Sequence, residues 1–281
     1  MTEHRKKFIN KPPENFYNRG SKIIFFLKTI IKSVLKIFNL NIYRIKHYEL
    51  VEKKLWIPFY ENKDNKLMKL YMEGLKKSEG EWSDNFSKKL RYYSLFQMAE
   101  HILKKNLQHD FVECGCWWGH STWALSKIIQ NSNQKINFHI FDSFEGGLSE
   151  LHNKDKNLVR NLSEKDTEIQ KKQFSSDEGF VHNILKEFDF VKIYKGWIPK
   201  RFSEIENKKF QFVHIDVDLY QPTYDSIKFF FPRLVDGGVI VCDDYNFCQF
   251  PGAKKAFDYY LEDKKVSLFY ESPFGGCLLI K

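Results

Sequence analysis

Carboxylates gather at two places in the chain where type and spacing suit chemistry. The first is Glu113-Cys-Gly115-Cys-Trp-Trp-Gly119-His120-Ser121-Thr122, followed 29 residues after Glu113 by Asp142-Ser143-Phe-Glu-Gly146-Gly147. Glycines at such a turn let backbone approach a ligand closely, and Ser121 or Thr122 is placed to cap a following helix. The G-x-x-x-G spacing is neither the dinucleotide fingerprint nor a phosphate-cradling loop. An acid ahead of the glycines repels a pyrophosphate but suits an amino group or sulfonium. Asp142, at the end of the next strand-like run, can accept hydrogen bonds from both hydroxyls of a ribose. Together the two segments point to a nucleoside-type cofactor.

The second place is His214-Ile-Asp216-Val-Asp218-Leu-Tyr220 with Cys242-Asp243-Asp244-Tyr245-Asn246. Residues two apart on a strand share a face, so Asp216 and Asp218 are expected to point the same way. Carboxylates crowded at one sheet edge cost repulsion and desolvation unless a cation joins them. Hard oxygen ligands without cysteine or paired histidine select Mg²⁺, with Mn²⁺ or Ca²⁺ as the other hard ions. The bland alternative is a set of solvated loop acids or helix caps. With a metal, a coordinated alcohol loses its proton more readily, and a carboxylate such as Asp216 can take it.

The elements that must carry these residues alternate. Apolar runs at 111–115, 136–142, 190–194, 210–216 and 238–243 read as strands, with helical stretches at 121–130, 180–188, 222–231 and 252–262. That alternation predicts a parallel sheet covered on both faces, whose ligands sit beyond the carboxyl ends of the strands. Residues 266–270 and 277–280, joined through Ser272-Pro273-Phe274-Gly275-Gly276, read as a closing hairpin. The expected fold is therefore α/β, a Rossmann-like, mostly parallel seven-stranded sheet ending in an antiparallel hairpin. Residues 55–110 are expected to form a helical cap over it, and residues 1–54 a basic arm with an amphipathic helix.

The formal charge of +9 is local. Residues 1–54 hold 13 Lys and Arg against 4 Asp and Glu, and the remaining chain holds 32 of each. A nucleic-acid enzyme needs its positive surface beside the site, so DNA and RNA are excluded as substrates. In residues 21–45, Lys28, Lys32 and Lys36 form one stripe among Ile, Leu and Phe, and the longest uncharged run is too short to span a bilayer. This predicts peripheral contact with the inner membrane face or, equally, packing on the domain or a second subunit in a homo-oligomer. Five cysteines without zinc spacing, and no secretory signal, predict a reducing cytoplasm.

The ordered set FVECGCWWGHS, FDSFEGG, VKIYKGWIP, HIDVDLYQPT and LVDGGVIVCDDYNFCQFPGAKKAF resembles the macrocin O-methyltransferase family over about residues 111–280. The resemblance implies a class I methyltransferase fold, S-adenosylmethionine as donor, and Mg²⁺ on Asp216, Asp243 and Asp244, with Asp216 as general base. It places Glu113 and Asp142 as cofactor acids, with Gly115, Gly119, Ser121, Ser143 and Trp197 completing the cofactor site. Departures from the family pattern at Trp118, His120, Val217, Pro222 and Arg201-Phe202-Ser203 are expected to border the acceptor pocket. The expected acceptor is a sugar hydroxyl, on a small molecule or a lipid-linked saccharide, in glycan or natural-product assembly. A catechol or phenol is the alternative acceptor, and a non-catalytic module binding a membrane or partner is the alternative class.

Overall fold

The computed structural model describes residues 64–145, 147–156, 168, 172–246 and 251–281. The predicted amphipathic segment 21–45 and the rest of the basic arm lie outside these residues. Asn65 caps helix α1 (Lys66–Lys77), its side-chain oxygen accepting the amides of Leu67 and Met68; Asn85 caps α2 (Phe86–Lys104) by accepting the amide of Lys88. Each such cap contributes about 1 kcal/mol to its helix.

Strand β1 (Asp110–Cys114) then leads to α3 (His120–Ser132), β2 (Phe138–Asp142), α4 (Glu178–Leu185), β3 (Val191–Lys195) and β4 (Phe210–Ile215). After these come α5 (Tyr220–Phe230), β5 (Leu234–Cys242), α6 (Gly252–Leu261), β6 (Leu268–Glu271) and β7 (Cys277–Ile280). The sheet order is β3-β2-β1-β4-β5-β7-β6, with β7 antiparallel to both of its neighbours and the other pairs parallel. The expected seven-stranded sheet with a closing hairpin is the one observed.

Composition explains the layering. Every residue of β4 is buried, as a central parallel strand with both faces covered requires. On one face Phe111 stacks on Phe212 at 4.8 Å, and α2 packs on β4 and β5. On the other, Val112, Ile215, Ile240, Phe230 and Phe257 share a core. Burying each such side chain contributes roughly 1.5–3 kcal/mol. Among the described residues no helix is long and apolar enough to cross a membrane.

Two expectations about local structure change. The helix after the glycine turn begins at His120, with Gly119 (φ 79°) as its N-cap and no capping side chain. Ser121 and Thr122 therefore lie inside the first turn, and their hydroxyls go to Tyr92 and Glu113 instead. Strand β4 stops at Ile215, so the two-residue alternation does not extend to Asp218, whose φ of 58° turns the chain out of the strand.

Candidate active site

Beyond the carboxyl ends of β1 to β4 lies a cavity of about 390 Å³. Gly115, Trp117, Asp142, Ser143, Trp197 and Asp216 are among its walls. Gly115 is imposed by the fold: at φ 84°, a Cβ there would lie 1.9 Å from the carbonyl oxygen of Asp216. This close approach, sealed by the Asp216 amide donating to the Cys114 carbonyl at 2.8 Å, sets the first acidic segment beside the second. Asp142 is held by backbone: one oxygen accepts the amides of Cys116 (2.9 Å) and Trp117 (3.1 Å), the other that of Phe144 (3.0 Å). The Cys116 thiol also donates to Asp142.

The remaining predicted cofactor residues stand elsewhere. Glu113 is fully buried, with one oxygen on His214 Nδ1 at 2.8 Å and the other accepting the Thr122 hydroxyl. Gly119 serves helix packing, since a Cβ would meet Ile184 at 2.8 Å. Ser121 is buried against Tyr92. None of these three lines the cavity.

At the ends of β4 and β5, carboxylate oxygens of Asp216, Asp243 and Asp244 all lie within 4.8 Å of one another. Asp244 accepts the amide of Asp218 at 2.7 Å, and Arg91 Nε donates to Asp243 at 2.9 Å. Burial, then the charges of Asp243 and Asp244, push Asp216 well above the usual carboxylate range. Burial and Asp243 push Asp244 up to about 6. Asp218 is raised likewise by burial, then by Asp244 and Asp243. From α2, buried Lys88 faces the same charges; its ammonium donates to Ser83 at 2.9 Å and lies 5.7 Å from the Trp117 ring. Burial lowers Lys88 to about 8 against the pull of Asp216 and Asp243.

Fully ionised, as cation binding requires, the four carboxylates exceed the two cations Lys88 and Arg91 by two negative charges; without a cation, burial and mutual repulsion favour their protonation. Hard oxygen donors converging with that excess fit a divalent cation. Residues 53–269 match the macrocin-O-methyltransferase (TylF) family, more than half of the chain. The chain belongs to that family. It is an O-methyltransferase, and its fold is the class I methyltransferase fold.

Among curated relatives, demethyldecarbamoylnovobiocin O-methyltransferase of Streptomyces niveus is 24% identical over 204 residues, covering 68% of this chain and 73% of the relative. The 8-demethyl-8-(2,3-dimethoxy-alpha-L-rhamnosyl)-tetracenomycin-C 4'-O-methyltransferase of Streptomyces olivaceus is 25% identical, covering 55% and 60%. The solved structure of the O-methyltransferase NovP superposes with a TM-score of 0.54 at 22% identity, covering 67% of this chain and 78% of that one. That of the calicheamicin methyltransferase CalS11 gives 0.53 at 16% identity, covering 85% and 99%.

Within the macrocin family frame, the chain's departures separate. Val217 and Pro222 line the cavity. Trp118, His120, Arg201, Phe202 and Ser203 are not among its walls. Trp118 packs edge-on against Phe180 at 5.3 Å, and Phe202 is buried in the core. His120 sits 4.7 Å from both the Tyr71 and Tyr92 rings and ties α1 and α2 to α3. Sequence reasoning missed Lys88, Arg91 and His214. Lys88 and Arg91 stand three apart on a helix, a spacing that reads as an ordinary solvated stripe.

Proposed function

We propose that this O-methyltransferase moves the methyl group of S-adenosylmethionine to a hydroxyl of a sugar, with a divalent cation held by Asp216, Asp243 and Asp244. The observation that carries the reading is the convergence of those three carboxylates beside a cavity whose far wall holds Asp142. The names of the novobiocin and rhamnosyl-tetracenomycin relatives support an acceptor from sugar-bearing natural products. Magnesium, when bound, lowers the pKa of a coordinated hydroxyl and so makes it a better nucleophile at neutral pH.

The chain's own residues do the rest. Asp142 accepts a hydrogen bond from the cofactor's ribose. Gly115, without a side chain, keeps the turn open beside Asp216. Trp117, Phe141 and Val217 exclude water from the cavity, which strengthens charge interactions inside it. Asp216 takes the proton of the acceptor hydroxyl as the new O–CH₃ bond forms. The S–CH₃ bond breaks with its electron pair left on sulfur, giving neutral S-adenosylhomocysteine. Orientation of donor and acceptor supplies much of the rate.

The test is transfer of a radiolabelled methyl group from S-adenosylmethionine to a panel of glycosides and catechols, with and without EDTA. Metal-dependent labelling of glycosides is expected. Labelling of catechols alone rejects the sugar acceptor, and undiminished labelling in EDTA rejects the metal.

A further inference from the structure

Phe174 and Trp117 line the cavity, and a third ring continues them to the surface. Trp82, in the 3₁₀ turn Glu81–Ser83, stands edge-on to Trp117 with ring centroids 5.3 Å apart, and Trp117 lies 6.4 Å from Phe174. Phe174 and Trp117 are half-buried, whereas Trp82 is 52% exposed. The proposed methyl transfer gives Trp82 no task. A large apolar side chain exposed singly is common; one joined ring to ring with a cavity wall marks a binding surface.

The backbone fixes both tryptophans. Trp117 has φ 47°, in the left-handed region that costs a bulky residue strain. Its amide is held there by Asp142 at 3.1 Å. The turn that carries Trp82 is closed by Ser83, whose amide and hydroxyl both donate to the Gly80 carbonyl at 2.8 Å. Lys88 Nζ donates to the same hydroxyl at 2.9 Å, and Asp84, the next residue, accepts the Tyr71 hydroxyl at 2.7 Å. The Trp82 ring is therefore presented to solvent on a turn anchored to α1 and α2.

We propose that Trp82 is the stacking platform of an outer acceptor subsite, which holds a ring bonded to the sugar that is methylated. The inference rests on the sugar-acceptor reading and extends the acceptor beyond one ring. The face of an indole is electron-rich and attracts the C–H edge or the offset face of another ring. A second pyranose, through its C–H face, and an aromatic aglycone share this chemistry. Trp82 is not among the cavity walls, so it meets the attached ring and not the reacting hydroxyl. It is a residue of specificity rather than of catalysis.

Steady-state kinetics tests it, with a sugar that the enzyme methylates presented as its methyl glycoside, its p-nitrophenyl glycoside and a disaccharide. In the wild type the two-ring acceptors should have the lower KM. In Trp82→Ala that advantage should shrink about three- to tenfold, the worth of one stacked ring pair. The loss should fall on KM and not on kcat, since a ring held equally before and during transfer gives uniform binding. Trp82→Phe, which keeps a ring, should retain most of the advantage. The two-ring acceptor that loses more names the attached ring. Unchanged S-adenosylhomocysteine affinity in Trp82→Ala shows that the domain is intact. No advantage for two rings in the wild type, or the same advantage in Trp82→Ala, overturns the platform while the sugar reading stands. Methylation of catechols alone removes the sugar reading, and the subsite with it.

Discussion

The two acidic ends of the site differ in how their charge is satisfied. At the β1–β2 end the protein itself supplies the partners: Glu113 is closed by His214 and Thr122, and Asp142 by three backbone amides. At the β4–β5 end four carboxylates face two cations, and Asp243 is held in a short ion pair with Arg91. The first end is finished on folding. In the proposed mechanism the second gains a divalent cation, so the two ends should respond oppositely to metal and to substitution.

The sharpest break in that comparison is chemical. Asp216→Asn should lose about 10²–10⁴-fold in rate at saturating metal, the usual worth of a general base. Asp243→Asn and Asp244→Asn should instead weaken metal affinity and recover part of their rate as Mg²⁺ is raised. Steady-state kinetics across a metal titration checks both, and a full rate for Asp216→Asn would remove its assigned role.

A second prediction concerns the finished end. Glu113→Ala leaves His214 fully buried without its partner, and breaking a buried ion pair costs about 3–5 kcal/mol. Urea unfolding should show that loss, while the protein that remains folded binds S-adenosylhomocysteine nearly as well as the wild type. Lost cofactor affinity with unchanged stability would return Glu113 to the cofactor site.

Asp142→Ala is expected to cost cofactor binding roughly 1.5–3 kcal/mol, the range for hydrogen bonds to a charged acceptor. It also frees the Cys116, Trp117 and Phe144 amides, so part of the loss reflects a loosened cavity wall. Calorimetry with S-adenosylhomocysteine measures the sum. Thermal melting without ligand isolates the structural share.

These contrasts mark what could be read from sequence. The strands and the closing hairpin follow from apolar runs such as FQFVHI, buried throughout, and CLLI, whereas the strand order is set by pairings that no run records. Asp216, Asp243 and Asp244 were legible because strand ends in such sheets converge. The pairing of Glu113 with His214 was not legible, because the two stand 101 residues apart and register across β1 and β4 sets their contact. Lys88 and Arg91 were hidden for a similar reason. Nothing local to α2 records that the helix crosses over the carboxyl ends of β4 and β5.

The smallest expected effect is a pH dependence carried by two histidines with opposite signs. His120 Nε2 meets the Tyr71 carbonyl at 2.9 Å, so this nitrogen carries the hydrogen, and Nδ1 is buried without a partner. Burial, then the charge of Lys88, holds His120 well below the usual 6.5. Above pH 6.5 both folded and unfolded chains keep it neutral. Below that, the unfolded chain binds a proton that the folded chain refuses, so stability falls by up to about 1.4 kcal/mol per pH unit. For His214 burial also favours the neutral ring, but the bond and charge of Glu113 outweigh it and push it up to about 9. Its contribution is complete below 6.5 and is lost as pH rises through 9. On the acid side the loss carried by His120 runs against a gain from Asp216, Asp218 and Asp244, whose raised folded-state pKa values favour the folded chain as pH falls, so it is read as a difference between variants. His120→Gln, which keeps a donor for Tyr71 but cannot titrate, should gain urea-unfolding stability relative to the wild type as pH falls from about 6.5 to 5 and leave the alkaline limb unchanged. A variant that retains the full acid slope would show that His120 is not the group refusing the proton.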